Sequence, residues 1–230
     1  MCTTERWLCA LSGDESAGLM RFVVILAAAL FGQTFFSQAG AADGPKLSYS
    51  RTFPGSNPPW FEISIDQNGA GQYKEDPKDE DPLKFQLTAT ETGQVFGLAD
   101  KLGHFSRQLE SGLKVANMGI KTFRYEADGK VSEVKFNYSQ DADARLLADW
   151  FEHVSDTERS LIVLENAVRF DKLGVQDAIL RVEILRDQNK LVAPGQFLPM
   201  LDRVVKNESF LHMARDRAAN LADWIRAQQK

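Results

Sequence analysis

Asp149 and His153 stand four residues apart, and Asp156 follows three later. On a helix that spacing puts all three on one face, where an imidazole and two carboxylates could ligate a metal ion. Glu208, His212 and Asp216 repeat the idea as an i, i+4, i+8 ladder. Neither set has the His-Glu-x-x-His spacing that presents two imidazoles and a base to zinc, so both read first as polar flanks of amphipathic helices. The acidic run Glu75-Asp76-Pro77-Lys78-Asp79-Glu80-Asp81 is a third candidate, for calcium. With Lys78 inside it, a solvated loop is the simpler reading. Asp66-Gln67-Asn68-Gly69 opens like a calcium loop but lacks the later ligands. No metal or other cofactor is therefore expected.

Covalent catalysis has less support. The chain contains no Gly-x-Ser-x-Gly elbow and no Gly-x-x-x-x-Gly-Lys phosphate loop, and its three histidines, His104, His153 and His212, are far apart in sequence. A carboxylate pair of the glycosidase kind needs no motif, only two acids at the right separation, and no pair stands out. Partner binding has a better candidate in Gly55-Ser56-Asn57-Pro58-Pro59-Trp60. Pro58 and Pro59 stiffen the approach. Trp60 is out of phase with Phe61, Ile63 and Ile65, which places it on the face opposite theirs, where an aromatic can anchor a partner. The competing expectation buries Trp60 under its loop or against the rest of the fold, as large aromatics commonly are.

The elements that must position these residues follow from periodicity. From Lys46 to about Tyr138, short β-branched and aromatic runs alternate with turn residues, the pattern of strands. Leu47–Phe53 and Trp60–Asp66 alternate. Asn68-Gly69 predicts a tight primed turn leading into Gln72-Tyr73-Lys74, and Leu83–Leu87 makes a fourth strand. Thr88 and Glu91 form a capping box for a helix whose apolar face is Val95, Phe96, Leu98, Ala99, Leu102 and Phe105. A second hairpin turns at Asp128-Gly129, with Phe123 and Tyr125 facing Val134, Phe136 and Tyr138.

After Tyr138 the period changes from two to about 3.6. A long helix is expected from about Asp143 to Phe170, stopped by Asp171–Gly174. Three more follow: one around Val175–Leu185, a shorter one after Pro194-Gly195, and a last one through Phe210–Ile225. Trp150-Phe151 and Phe197-Leu198 widen the apolar stripes, offering a surface for a partner or a second copy, or more simply burial on two sides. The fold class is therefore α+β: an antiparallel sheet of about five to six strands with one packed helix, then a C-terminal bundle of about four helices. The β-rich part spans 42–138 and the helical part 139–230.

Pro58-Pro59-Trp60-Phe61-Glu62-Ile63-Ser64-Ile65-Asp66-Gln67-Asn68-Gly69, its aromatic return strand and the helix from Thr88 to Leu102 resemble the opening of secreted bacterial domains of unknown function. The resemblance spans about residues 46–138. It implies an α+β envelope domain and carries no activity with it.

Upstream, Met20-Arg21 precedes the apolar run Phe22–Phe31, and Ala39-Gly40-Ala41 offers a small-x-small cleavage site before Ala42. This is the layout of a signal peptide spanning 1–41, with translation from Met20 as an alternative start because Glu5, Asp14 and Glu15 sit poorly in a basic leader. The competing expectation is one uncleaved N-terminal anchor, the only way this chain would engage a membrane. Both cysteines, Cys2 and Cys9, precede the cleavage site, so residues 42–230 hold no disulfide, thiolate metal site or Cys nucleophile. The 230 residues carry 43% hydrophobic side chains, 26% charged ones and a net charge of −5, an ordinary globular composition without the clustered basic charge that nucleic acid requires. The expectation is an exported, periplasmic or secreted, non-catalytic protein that binds a protein or other envelope partner. The alternative is an exported hydrolase using carboxylates or a bound metal between sheet and helices.

Overall fold

The computed structural model describes residues 44–228, so the expected signal segment and its cleavage residues Ala39, Ala41 and Ala42 lie outside the described residues. Six strands form one antiparallel sheet: β1 (Lys46–Thr52), β2 (Trp60–Asp66), β3 (Ala70–Lys74), β4 (Leu83–Gln86), β5 (Ile120–Ala127) and β6 (Lys130–Phe136). Their order is β4-β3-β2-β1-β5-β6. The first four strands form a meander. Helix α1 (Ala89–Lys101) and the segment after it return the chain across one face, so that β5 pairs with β1.

Period-two alternation decides which side chains meet α1. Leu47 and Tyr49 of β1, Phe61, Ile63 and Ile65 of β2, Tyr73 of β3 and Phe123 of β5 are almost wholly buried, together with Val95 and Ala99 of α1. The capping box forms as its residues dictate: Glu91 N donates to Thr88 Oγ1, and Thr88 N donates to the Glu91 carboxylate. The helices are α2 (Ala142–Phe170), α3 (Val175–Asp187), α4 (Leu198–Lys206) and α5 (His212–Gln228), with a 3-10 turn over Pro194–Phe197. Asp141 caps α2 by accepting from the N–H groups of Asp143 and Ala144.

Helix α2 belongs to two cores. Its first half, with Ala144, Leu147, Phe151 and Val154, packs with the sheet and α1. Its second half, with Leu161, Leu164 and Val168, packs with α3, α4 and α5. The sheet thus carries two helices on its inner face, where the sequence suggests one, and α2 joins the two cores along its own length.

Two local expectations need correction. Asn68-Gly69 is not a two-residue primed turn: Ile65 pairs with Gly71, and Gly69 alone takes positive φ (81°). The connection is the longer type, a turn closed by a left-handed glycine, with Asp66 Oδ1 accepting from the N–H groups of Asn68 and Ala70. At Asp128-Gly129 both residues take positive φ (51° and 71°), the primed turn expected there. In that hairpin Phe123 opposes Val134, whereas Tyr125 opposes Ser132, and Tyr138 lies past the end of β6. Among the described residues no helix is long and apolar enough to cross a membrane.

Candidate functional site

The alternation that buries one face of the sheet leaves the other without a described helix over it. One row crosses all six strands on that face: Lys84, Gln72, Ser64, Ser48, Arg124 and Glu133. A second row runs Lys74, Glu62, Ser50, Thr122 and Lys135. Several charges on this face pair with one another: Lys74 Nζ lies 3.2 Å from Glu62 Oε1, Arg124 Nε 2.6 Å from Glu126 Oε1, and Lys135 Nζ 3.1 Å from Glu133 Oε1. Toward the Gly69 and Gly129 turns the face opens into a trough of about 1560 Å³ lined by Ser64, Gln72, Lys84, Lys46 and Glu126.

The opposite end of this face is apolar. Thr52 pairs with Trp60 on one side and Ile120 on the other, so the two large side chains flank a threonine about 10 Å apart, two strand spacings. Trp60 is half-buried and Ile120 is 48% exposed, and the adjoining segment adds Leu113, Val115 and Met118, all exposed. The segment is held by Glu110, whose carboxylate accepts from Asn137 N–H at 2.6 Å and from Ser111 N–H. Those bonds hold the Glu110 carboxyl below the usual range. Pro58 is buried and Pro59 exposed. Trp60 therefore lies on the face opposite Phe61, partly open to solvent.

The seam between the inner face and α2 is polar at a series of points. Glu152 accepts from Tyr49 Oη at 2.7 Å and from Arg51 Nη1 at 2.6 Å. Lys121, the cross-strand partner of Arg51, adds positive charge, yet burial is the larger effect and raises the Glu152 carboxyl above its ordinary value. Burial also pushes the Lys121 ammonium down. Farther along, Tyr73 Oη donates to Glu75 Oε1 at 2.7 Å and sits 3.3 Å from Ser155 Oγ. Tyr49 stacks on Phe151 with centroids 4.9 Å apart, and the Arg51 guanidinium sits over Phe61.

The residues suggested as metal ligands are not brought together. Asp149 and Asp156 are exposed and His153 is half-buried, with its imidazole pKa lowered chiefly by burial. Glu208 precedes α5, in the turn after Asn207, so the expected ladder is broken and only His212 and Asp216 pair, at 2.6 Å. The acidic run is an exposed loop held by its own turns: Lys78 N–H donates to Asp76 Oδ1 and Asp81 N–H to Asp79 Oδ1. Among the described residues no group of three or more His, Cys, Asp or Glu side chains is placed to hold a metal ion. Trp150 and Leu198 are half-buried while Phe151 and Phe197 are fully buried, so the widened stripes serve burial inside the fold.

Sequence reasoning missed Tyr49, Arg51, Lys121 and Glu152, because their juxtaposition depends on strand order. It also missed Glu158, which carried a readable signal. Glu158 falls between Val154 and Leu161 at the inward spacing of α2, an acid where the stripe calls for an apolar residue. No protein-family model matches the chain, and no curated protein matches it.

Proposed function

We propose that this chain is an exported, non-catalytic binding protein of the cell envelope that meets a protein or other envelope partner through the Trp60 end of its open sheet face. The observation that carries the reading is the pairing of Trp60 and Ile120 across Thr52 on a face that no described helix covers, beside exposed Leu113, Val115 and Met118. A half-exposed tryptophan among apolar neighbours, rimmed by polar rows, has the composition of an interface centre. Export rests on the Met20–Ala42 segment of the sequence. The hydrolase alternative needs a carboxylate free to act between sheet and helices. The Glu152 oxygens there are already engaged by Tyr49 and Arg51, which favours the binding reading.

The test is capture from envelope extract by the wild type, Trp60→Ala, Ile120→Ser and, as a control on a distant surface, Ile184→Ala, each checked for folding by circular dichroism. One partner retained by the wild type and the control but lost from the other two supports the assignment. The same background from all four baits overturns it.

A further inference from the structure

Residues 192–197 stitch the two cores together. Val192 and Ala193 are buried with the sheet core, and Phe197 with the helical core. Three bonds hold this strap. Val192 N–H donates to Thr157 Oγ1 at 3.2 Å, Ala193 N–H to Glu91 Oε1 at 3.1 Å, and Gln196 Nε2 to Glu158 Oε1 at 2.8 Å. Ala193 is held in the left-handed region (φ 46°, ψ 52°), which disfavours a residue with a Cβ and persists only where neighbours enforce it.

The third bond is incomplete. Glu158 is 1% exposed, and its second oxygen, Oε2, is buried without a hydrogen-bond partner. The second polar atom of the side chain it meets, Gln196 Oε1, is likewise buried without a partner. Both orphans are acceptors while Glu158 is ionised. A single proton on Glu158 Oε2 turns one of them into a donor and lets a planar acid and a planar amide satisfy each other at both corners.

We propose that Glu158 and Gln196 form a proton-dependent latch: Glu158 sits as the neutral acid, donating Oε2–H to Gln196 Oε1 while accepting from Gln196 Nε2, and loss of that proton loosens the strap. The electrostatics agree with the geometry. Glu165, a like charge on the same helix, also favours the neutral acid. The strap faces it with the neutral Gln196, and Glu91 of α1 holds the strap at Ala193 N–H. Burial without a cation pushes the Glu158 carboxyl up to about 7. A proton bound more tightly in the closed form leaves the closed form weaker as pH rises, so the strap is firm in mild acid and loosened above neutrality.

The experiment is residue-resolved amide exchange of the Val192 N–H in the intact chain at pH 5 to 8, corrected for intrinsic chemistry, with infrared spectroscopy of the carboxylic-acid carbonyl. The opening constant at Val192 is expected to rise roughly 50- to 100-fold between pH 5 and pH 8. Glu158→Gln, which keeps an amide in place of the acid, should flatten that rise and remove a protonated-carboxyl band present at pH 6. An opening constant independent of pH in the wild type overturns the latch, as does an equal rise in the variant. Should Glu158→Gln fail to fold, the wild-type exchange profile alone decides.

Discussion

Two acids on α2, the half-buried Glu152 and the buried Glu158, stand six residues apart and meet opposite environments. Glu152 faces the sheet and is given a guanidinium, a phenol and a nearby ammonium. Glu158 faces the strap and is given an amide. Burial raises the carboxyl of both, but only Glu152 has opposite charges that offset the rise. The sheet core thus holds an ion pair, and the helical side holds an acid that closes its contacts by keeping its proton. One helix joins both cores, and the partner its acid meets decides how each seam answers to pH.

Arg51→Leu should have the largest effect, because it makes Glu152 resemble Glu158. Breaking a largely buried pair costs about 3 kcal/mol, the low end for such losses since side-chain exposure is 20% and 25%. The cost should be smaller at pH 5 than at pH 8, because burial without Arg51 favours the protonated form of Glu152. Urea unfolding at both values reads the difference, and an equal loss at each would show that Arg51 acts mainly through its packing on Phe61.

Glu158→Gln should act in the reverse direction. The folded-state value lies above the unfolded one, so the group's contribution is fully present below about pH 4.5 and lost as pH rises toward about 7. That loss amounts to about 3 kcal/mol, so the variant should be more stable than the wild type by about that much at pH 8 and unchanged near pH 4.5. Acids with lowered values work oppositely. Bonds from Asn137 N–H and Ser111 hold Glu110 down, and Arg107 does the same for Asp141, so their contributions are lost as pH falls through the folded values. Stability is therefore expected to be highest in mild acid, and thermal melts across pH 3–9 should place the maximum below neutrality. In the Glu158→Gln variant the maximum should broaden toward alkaline pH.

Tyr49→Phe should cost less, about 1 kcal/mol. It removes one of the two donors to Glu152 but preserves the stack on Phe151, and Arg51 remains. Combined with Arg51→Leu in a double-mutant cycle, the two should be strongly non-additive, because both act on the same carboxylate.

Much of the architecture could be read from local pattern, and the parts that could not are long-range. The Thr88–Glu91 box, the Asp128-Gly129 turn and the long α2 depend on residues a few positions apart. The Asn68-Gly69 turn departs from its signature in register, Ile65 pairing with Gly71 where a two-residue turn would pair it with Gln72. The Glu152 network needs β1 to lie between β2 and β5, an order no local window contains. Glu158 was visible as a break in the inward stripe, yet its meaning depends on Gln196, 38 residues away. Trp60 reads correctly as out of phase with the core, since a one-residue offset in a strand determines the face.

His212→Ala should have the smallest effect, and it supplies the control for the comparison. His212 Nδ1 and Asp216 Oδ2 lie 2.6 Å apart, as close as Arg51 and Glu152, but the two side chains are 80% and 60% exposed. Water solvates each partner nearly as well alone as paired, so the contact is worth at most about 0.5 kcal/mol and weakens further in salt. Melting of this variant should therefore match the wild type within error in 0.5 M salt. A loss approaching that of Tyr49→Phe would mean that separation alone sets the strength of these pairs, and the contrast drawn between the two acids of α2 would then have to be explained without burial.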